Sequence, residues 1–242
     1  MSYPTGALLS SASQLDAALH RFVDEHGRVD YGAIGADGTL AERARELERF
    51  DRESLHSRED KLAFWINAYN TLVLVGVLDA LKQRPQRPGV AVGGWLGLLR
   101  FFYLKRYIVG GTKLSLATIE NRILRKDLRE PRVHFALVCA ATSCPPLKQG
   151  LYTAERIHAE LDNAAQQFIR SPAGVLVERE THTLWLSRIF KWYHGDFERA
   201  AGSVLKYVRP YLSADDQAYL DRHEPQVRLR YFNYNWQLNG QG

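Results

Sequence analysis

The chain predicts a helix-rich α+β fold with two β-hairpins and one central buried strand, and three observations lead there. Apolar residues recur at three- and four-residue spacing over several stretches longer than ten residues. Short β-prone runs come in two pairs, each joined by a tight turn. Strands and helices do not alternate in the βαβ order that a parallel sheet requires, and no repeat of 20 to 50 residues is visible. With 45% hydrophobic and 24% charged residues over 242 positions, the chain can bury a substantial core. The reading divides it into a polar tail over 1–12, one globular domain over 13–239 and a short tail over 240–242.

Taken in order, Ser13 is placed to cap a helix through Leu15, Leu19, Phe22 and Val23, which ends at His26-Gly27-Arg28-Val29-Asp30-Tyr31. A charged helix follows over 40–50, with Leu40, Ala44, Leu47 and Phe50 on one side. Ser57-Arg58-Glu59-Asp60 fits a capping box with Asp in place of Glu, opening a long helix to about Lys82. Pro85 to Gly94 is a Pro- and Gly-rich loop. Tyr107-Ile108-Val109 and Lys113-Leu114 form a hairpin around Gly110-Gly111, and Ser115 or Thr118 starts the next helix over 119–125. Thr153 caps a helix ending near Arg170. Val175 to Glu178 and Thr183 to Leu186 pair around Arg179-Glu180-Thr181-His182, and Ser187 starts a short helix. Further helices are expected over 203–211 and 214–222, then a final extended strand over 227–236.

The stretch richest in chemistry is Val133-His134-Phe135-Ala136-Leu137-Val138-Cys139, followed by Ser143-Cys144-Pro145-Pro146-Leu147. It reads as a short buried strand that ends in a polar turn carrying the second of only two thiols. The exclusions are equally plain. A net charge of +5 is modest, and the basic residues around Arg122 to Arg129 alternate with apolar and acidic ones, so no nucleic-acid track is expected. The longest apolar run falls short of the roughly 20 residues that span a bilayer. The N-terminus shows no signal peptide, which reads as cytoplasmic by default, or as periplasmic or secreted for a chain trimmed of its leader. Two cysteines with four residues between them are too few for a disulfide framework. Cys139, Cys144, His134 and His158 have no compact ligand spacing, so no metal and no cofactor are expected.

The motifs Phe64-Trp65-Ile66-Asn67-Ala68-Tyr69-Asn70, His134 to Cys139 with Ser143 to Leu147, and Leu186-Ser187-Arg188-Ile189-Phe190-Lys191-Trp192-Tyr193 with Asp196-Phe197 occur in an order that resembles the family of domain of unknown function 547. The resemblance runs from about Ser13 to Asn239 and includes Gly27 to Tyr31 and the tail Asn233 to Asn239. It implies no agreed activity. Similar sequences occur in bacteria, often behind a secretion signal, and in plants and animals fused to other modules. Such sequences typically read Ile-Glu-His where this chain has Ile119-Glu120-Asn121.

A thiol becomes a nucleophile when a histidine, a helix N-terminus or a cation favours its thiolate, and a third group commonly orients the histidine. The expected parts are Cys144 as nucleophile, His134 as base and Glu120 as orienter, with Asn67, Asn70 and Ser143 in support of an oxyanion or of the histidine. Prolines after Cys144 suit the first turn of a helix, whose dipole would favour thiolate. Trp65, Trp185, Phe190, Lys191, Trp192, Tyr193 and Asp196 are expected to line a cleft for a small-molecule, peptide or glycan substrate. A papain-like or transglutaminase-like arrangement is compatible with these parts. This gives a cysteine-dependent hydrolase or acyltransferase. The alternatives are a non-catalytic peptide- or glycan-binding module in which Asn, His and Cys are structural, and a redox switch using Cys139 with Cys144.

Overall fold

A computed structural model describes residues 5–83, 97 and 100–241. Helix α1 (Thr5–Phe22) starts well before Ser13, which lies inside it rather than at its cap. After the two-residue strand β1 (Val29–Asp30), the Asp30 carboxylate accepts the Ala33 N–H and caps α2 (Tyr31–Asp37), a helix the sequence reading does not include. Helix α3 (Thr39–Arg49) matches its expected span. Helix α4 (Arg58–Gln83) opens on the reciprocal capping box: the Ser57 hydroxyl accepts the Asp60 N–H and the Asp60 carboxylate accepts the Ser57 N–H, both at 2.9 Å. By length and hydropathy alone α4 could cross a bilayer, but 78% of its apolar window is buried inside the protein. It is the core helix, and it carries Asn67, Tyr69 and Asn70 into the interior.

Strands β2 (Tyr107–Val109) and β3 (Thr112–Leu114) form the first hairpin, Val109 opposite Thr112. Gly110 and Gly111 both hold positive φ, as a two-residue hairpin turn requires. The Ser115 hydroxyl then caps a turn of helix over Leu116–Thr118, which continues as a π-helix over Ile119–Asp127. The helix Ile157–Arg170 buries Ile157, Leu161, Ala165 and Phe168. Strands β4 (Val175–Glu178) and β5 (Thr183–Leu186) make the second hairpin, and β6 (Arg228–Tyr231) joins β5 in parallel. Short helices over Arg188–Trp192, His194–Ala201, Val204–Val208 and Ala214–His223 complete this half. The α+β class, with small sheets on a helical body, is as the sequence predicts. Pro85 to Gly94 lies outside the described residues.

The central strand is absent. Residues 131–135 form a 3-10 turn, because Pro131 presets the first φ and the Glu130 carboxylate accepts the Arg132 N–H. The Val133 carbonyl then takes the Ala136 and Leu137 N–H groups. Beyond it the chain is irregular, with Ala140 in the left-handed region at φ 59°. Only the isolated bridge between Ala141 and Leu238 resembles sheet pairing there. No helix starts at Pro145 or Pro146 either. The expected C-terminal strand is real only over β6; the tail then leaves the sheet, runs back along the cysteine loop, and ends as β7 (Gly240–Gln241), parallel to β1.

Two apolar cores meet at the 3-10 turn, with Val133 in the first and Phe135 in the second. His134 sits between them. Gly27 braces the first core against the cysteine loop: its φ is +72°, and a Cβ there would lie 2.4 Å from Pro146 Cβ and 2.6 Å from the Leu147 nitrogen. Left-handed strain and overpacking add, so Gly27→Ala is expected to lower stability by about 2–4 kcal/mol, read as a shifted urea midpoint.

Candidate functional site

A cavity of about 480 Å³ opens where α4, the π-helix, the cysteine loop, the helix Arg188–Trp192 and the C-terminal tail converge. Its polar wall holds Glu120, Asn121, Arg125, His134, Cys139 and Cys144. Its aromatic wall holds Tyr69, Phe102, Tyr103, Trp192, Tyr193, Tyr234 and Trp236.

His134 is buried and its Nε2 lies 2.9 Å from Asp196 Oδ2. The same carboxylate accepts Arg125 Nε at 2.6 Å and Arg199 at 3.1 Å. Burial alone would raise the Asp196 pKa; the hydrogen bonds from His134 and Arg125, with the Arg125 charge, outweigh it and hold the carboxyl far below the usual range. An ionised Asp196 is acceptor-only, so His134 Nε2 carries the proton and Nδ1 is the basic nitrogen. Burial pushes the His134 pKa down. The Asp196 charge does not reverse that, because two guanidinium groups already take it up. The histidine therefore rests neutral near pH 7.

Glu120, expected to orient His134, does so only at one remove. Its carboxylate accepts the hydroxyls of Tyr69, at 3.1 Å, and of Tyr193. The Tyr193 ring in turn stacks on His134 with centroids 3.8 Å apart. The direct orienter is Asp196, which the sequence reading had assigned to the cleft. The Arg125 guanidinium lies over the Tyr193 ring and also donates to the Asn121 side chain. Asn121 thus occupies the cavity wall, where it also donates to the Ala117 carbonyl.

The two thiols are free and adjacent. Cys144 Sγ accepts the Cys139 N–H at 2.8 Å. The Cys144 thiol donates to the Leu137 carbonyl at 3.8 Å, and the Tyr234 hydroxyl lies 3.1 Å from the Cys139 sulfur. The neighbouring Cys144 thiol, the Tyr234 hydroxyl and the Ala141 N–H lower the Cys139 pKa against the opposing effect of burial. Burial raises the Cys144 pKa, and a charge on Cys139 raises it further. Tyr234 is also pushed far up by burial and by the sulfurs, so it stays a donor. The pair holds one negative charge more readily than two, and Cys139 is the thiol that gives up its proton first. The helix dipole expected for Cys144 has no helix to supply it. Cys144 also borders a second cavity of about 520 Å³ that includes Arg21, His26 and Arg28.

Asn67 and Asn70 do not line the main cavity. Asn70 donates to the Ala136 carbonyl at 2.9 Å and accepts the Val138 N–H at 3.0 Å. Asn67 makes the equivalent pair with Tyr152, at 2.8 and 2.9 Å. Ser143 fastens the tail, its hydroxyl accepting the Asn235 N–H. Among the expected cleft residues, Trp192 and Tyr193 line the cavity. Phe190 and Trp65 are core, Trp185 stacks on Phe232, and Lys191 lies over Tyr231. His158 is bonded to Arg132 and Glu59, away from the thiols. Tyr69, Arg125, Tyr234 and Trp236 were not expected in a site. Tyr69 carried a signal, as a phenol inside the same apolar motif as the two asparagines.

The fold and the cavity define a helix-rich α+β protein with a buried His–Asp pair and two adjacent thiols in one aromatic pocket. Residues 53–169 match the model of the family described as "Protein of unknown function, DUF547" and form a domain of that family. No curated protein and no solved structure matches the chain. The matched stretch supplies Glu120, His134, Cys139 and Cys144, whereas Tyr193, Asp196, Tyr234 and Trp236 come from beyond it.

Proposed function

We propose that the chain is a cysteine-dependent hydrolase or acyltransferase that uses the Cys139–Cys144 pair as its thiolate and His134, held by Asp196, as its acid–base group. The observation that carries this reading is the meeting, in one cavity, of a histidine in a defined tautomer and a thiol with a lowered pKa. The thiol proton passes to His134 Nδ1 as the sulfur adds to an acyl carbon, and a thioester forms as the leaving group departs with that proton. His134 then takes the proton of the incoming water or acceptor, which attacks the thioester and restores the thiol. The neighbouring Cys144 thiol and, from the tail, the Tyr234 hydroxyl favour the charge that forms on Cys139. The papain-like comparison belongs to this proposal as a likeness of chemistry.

The test is alkylation of each thiol by iodoacetamide across pH, read by peptide mass spectrometry on the native protein. Cys139 is expected to react first, with an apparent pKa below the reference of about 8.5, and Tyr234→Phe is expected to raise it. Inertness of both thiols until unfolding would sink the reading. Preferential reaction at Cys144 would instead restore Cys144 as the nucleophile.

A second reading, a redox switch, is favoured by the closeness of two free thiols, Cys144 Sγ lying 2.8 Å from the Cys139 backbone nitrogen. Exchange with oxidised glutathione would join them, releasing two reduced glutathiones per disulfide. Intact mass in graded glutathione buffers reads the loss of two hydrogens directly.

A further inference from the structure

We propose that the main cavity binds a cationic group, an ammonium or a guanidinium, between the Glu120 carboxylate and the ring faces of Trp192, Tyr234 and Trp236. The inference names a ligand class for the cavity described above and rests on that site, but not on its thiol chemistry.

The first observation is a charge without a cation. Glu120 has neutral phenols as its hydrogen-bond partners, and among the described residues no arginine, lysine or histidine lies within ion-pair distance of it. The nearby cation is already engaged, since Arg125 is spent on Asp196 and on the Tyr193 ring. The buried His134 is neutral, so Glu120 has no counter-ion of its own in the cavity wall. The two phenols hold the carboxylate in place without neutralising it, which preorganises it for a cation.

The second observation is independent and concerns the rim. Trp192, Tyr234 and Trp236 form a closed trio, with ring centroids 4.8 Å apart for Trp192–Tyr234, 5.7 Å for Trp192–Trp236 and 4.4 Å for Tyr234–Trp236. Trp192 and Trp236 nevertheless remain 43% and 41% exposed, and Tyr103 beside them is 54% exposed. Large aromatic rings left in water around a concave pocket that holds a carboxylate present electron-rich faces to whatever enters. An anion would meet Glu120 and those faces unfavourably. A neutral apolar group would use the rings and leave the carboxylate without a partner. A cation satisfies both walls.

The experiment titrates the full chain with four probes and reads tryptophan fluorescence. N-acetyl-lysine N-methylamide and N-acetyl-arginine N-methylamide stand for side chains of a peptide, cadaverine for a free amine, and N-acetyl-norleucine N-methylamide is the neutral isostere. At least one cation is expected to bind about tenfold more tightly than norleucine, with affinity falling as salt is raised. The preferred probe separates a peptide side chain from a free amine. Glu120→Gln, which can still accept a phenolic hydrogen bond, is expected to lose about tenfold in cation affinity with norleucine binding unchanged. Trp236→Ala, at a position 41% exposed, is expected to weaken every cation severalfold. Equal binding of norleucine and the cations, or unchanged cation affinity in both variants, would overturn the proposal, as would the absence of saturation by any cation up to about 10 mM. Binding is read without turnover, so inert thiols with intact cation selectivity would reject the thiol chemistry and leave this inference standing.

Discussion

Replacing Asn70 with alanine is expected to destabilise the protein by about 2–5 kcal/mol and to abolish the difference in reactivity between Cys139 and Cys144. Asn70 is 6% exposed, and its amide satisfies a backbone carbonyl and a backbone N–H of the loop that leads into Cys139. No sheet or helix stands ready to take those groups. Each buried group left unmade costs about 1–3 kcal/mol, and both belong to one segment, so the loss falls on the cysteine loop. Asn67→Ala is the matching control. It removes the same pair of bonds from Tyr152 and should cost a similar amount of stability, while the order of thiol alkylation is preserved. Chemical unfolding and site-resolved alkylation on the two variants give the answer. Equal effects of both substitutions on the thiols would mean that Asn70 has no special hold on them.

Asp196→Asn is expected to cost about 3 kcal/mol, a fall of roughly 6–12 °C in Tm for a chain of this size, and to flatten the acid limb of the stability curve. The substitution keeps the volume and removes the charge. It leaves the Arg125 guanidinium partly buried without its anion and gives His134 an amide that can donate as well as accept, so the tautomer is no longer fixed. The pH dependence has a definite sign. Asp196 has a pKa lowered in the folded state, so the unfolded chain takes up a proton first as pH falls through about 4, and stability drops there. His134 also has a lowered pKa, so the unfolded chain protonates it first as pH falls through about 6.5, and stability drops there as well. Wild-type protein should therefore lose stability in two steps on acidification. Asp196→Asn should lack the lower step, and His134→Asn the upper one. A wild-type Tm that stays level from neutral pH down to about pH 5 would contradict the neutral, buried histidine.

The sequence by itself determined the local elements wherever a chemical signal is local. Ser57 and Asp60 announce the start of α4, Gly110-Gly111 the first hairpin turn and Ser187 the helix that brings Trp192 and Tyr193 forward. It also marked Cys144, His134 and Glu120 as residues worth attention, and all three line one cavity. What it could not supply is partnership, which is set by packing over long separations. Asp196, 62 residues after His134, reaches it only because the second core folds the helix His194–Ala201 against the 3-10 turn. Tyr234 and Trp236 enter the site because the tail bonds back to Ala140, Thr142 and Ser143. The missing strand has the same origin. An apolar run such as 133–140 satisfies its backbone with whatever the tertiary structure offers, and here that is the side chain of Asn70 rather than a neighbouring strand. Which thiol ionises more readily was decided likewise, by the Cys144 thiol and the Tyr234 hydroxyl, which meet Cys139 only in the folded chain.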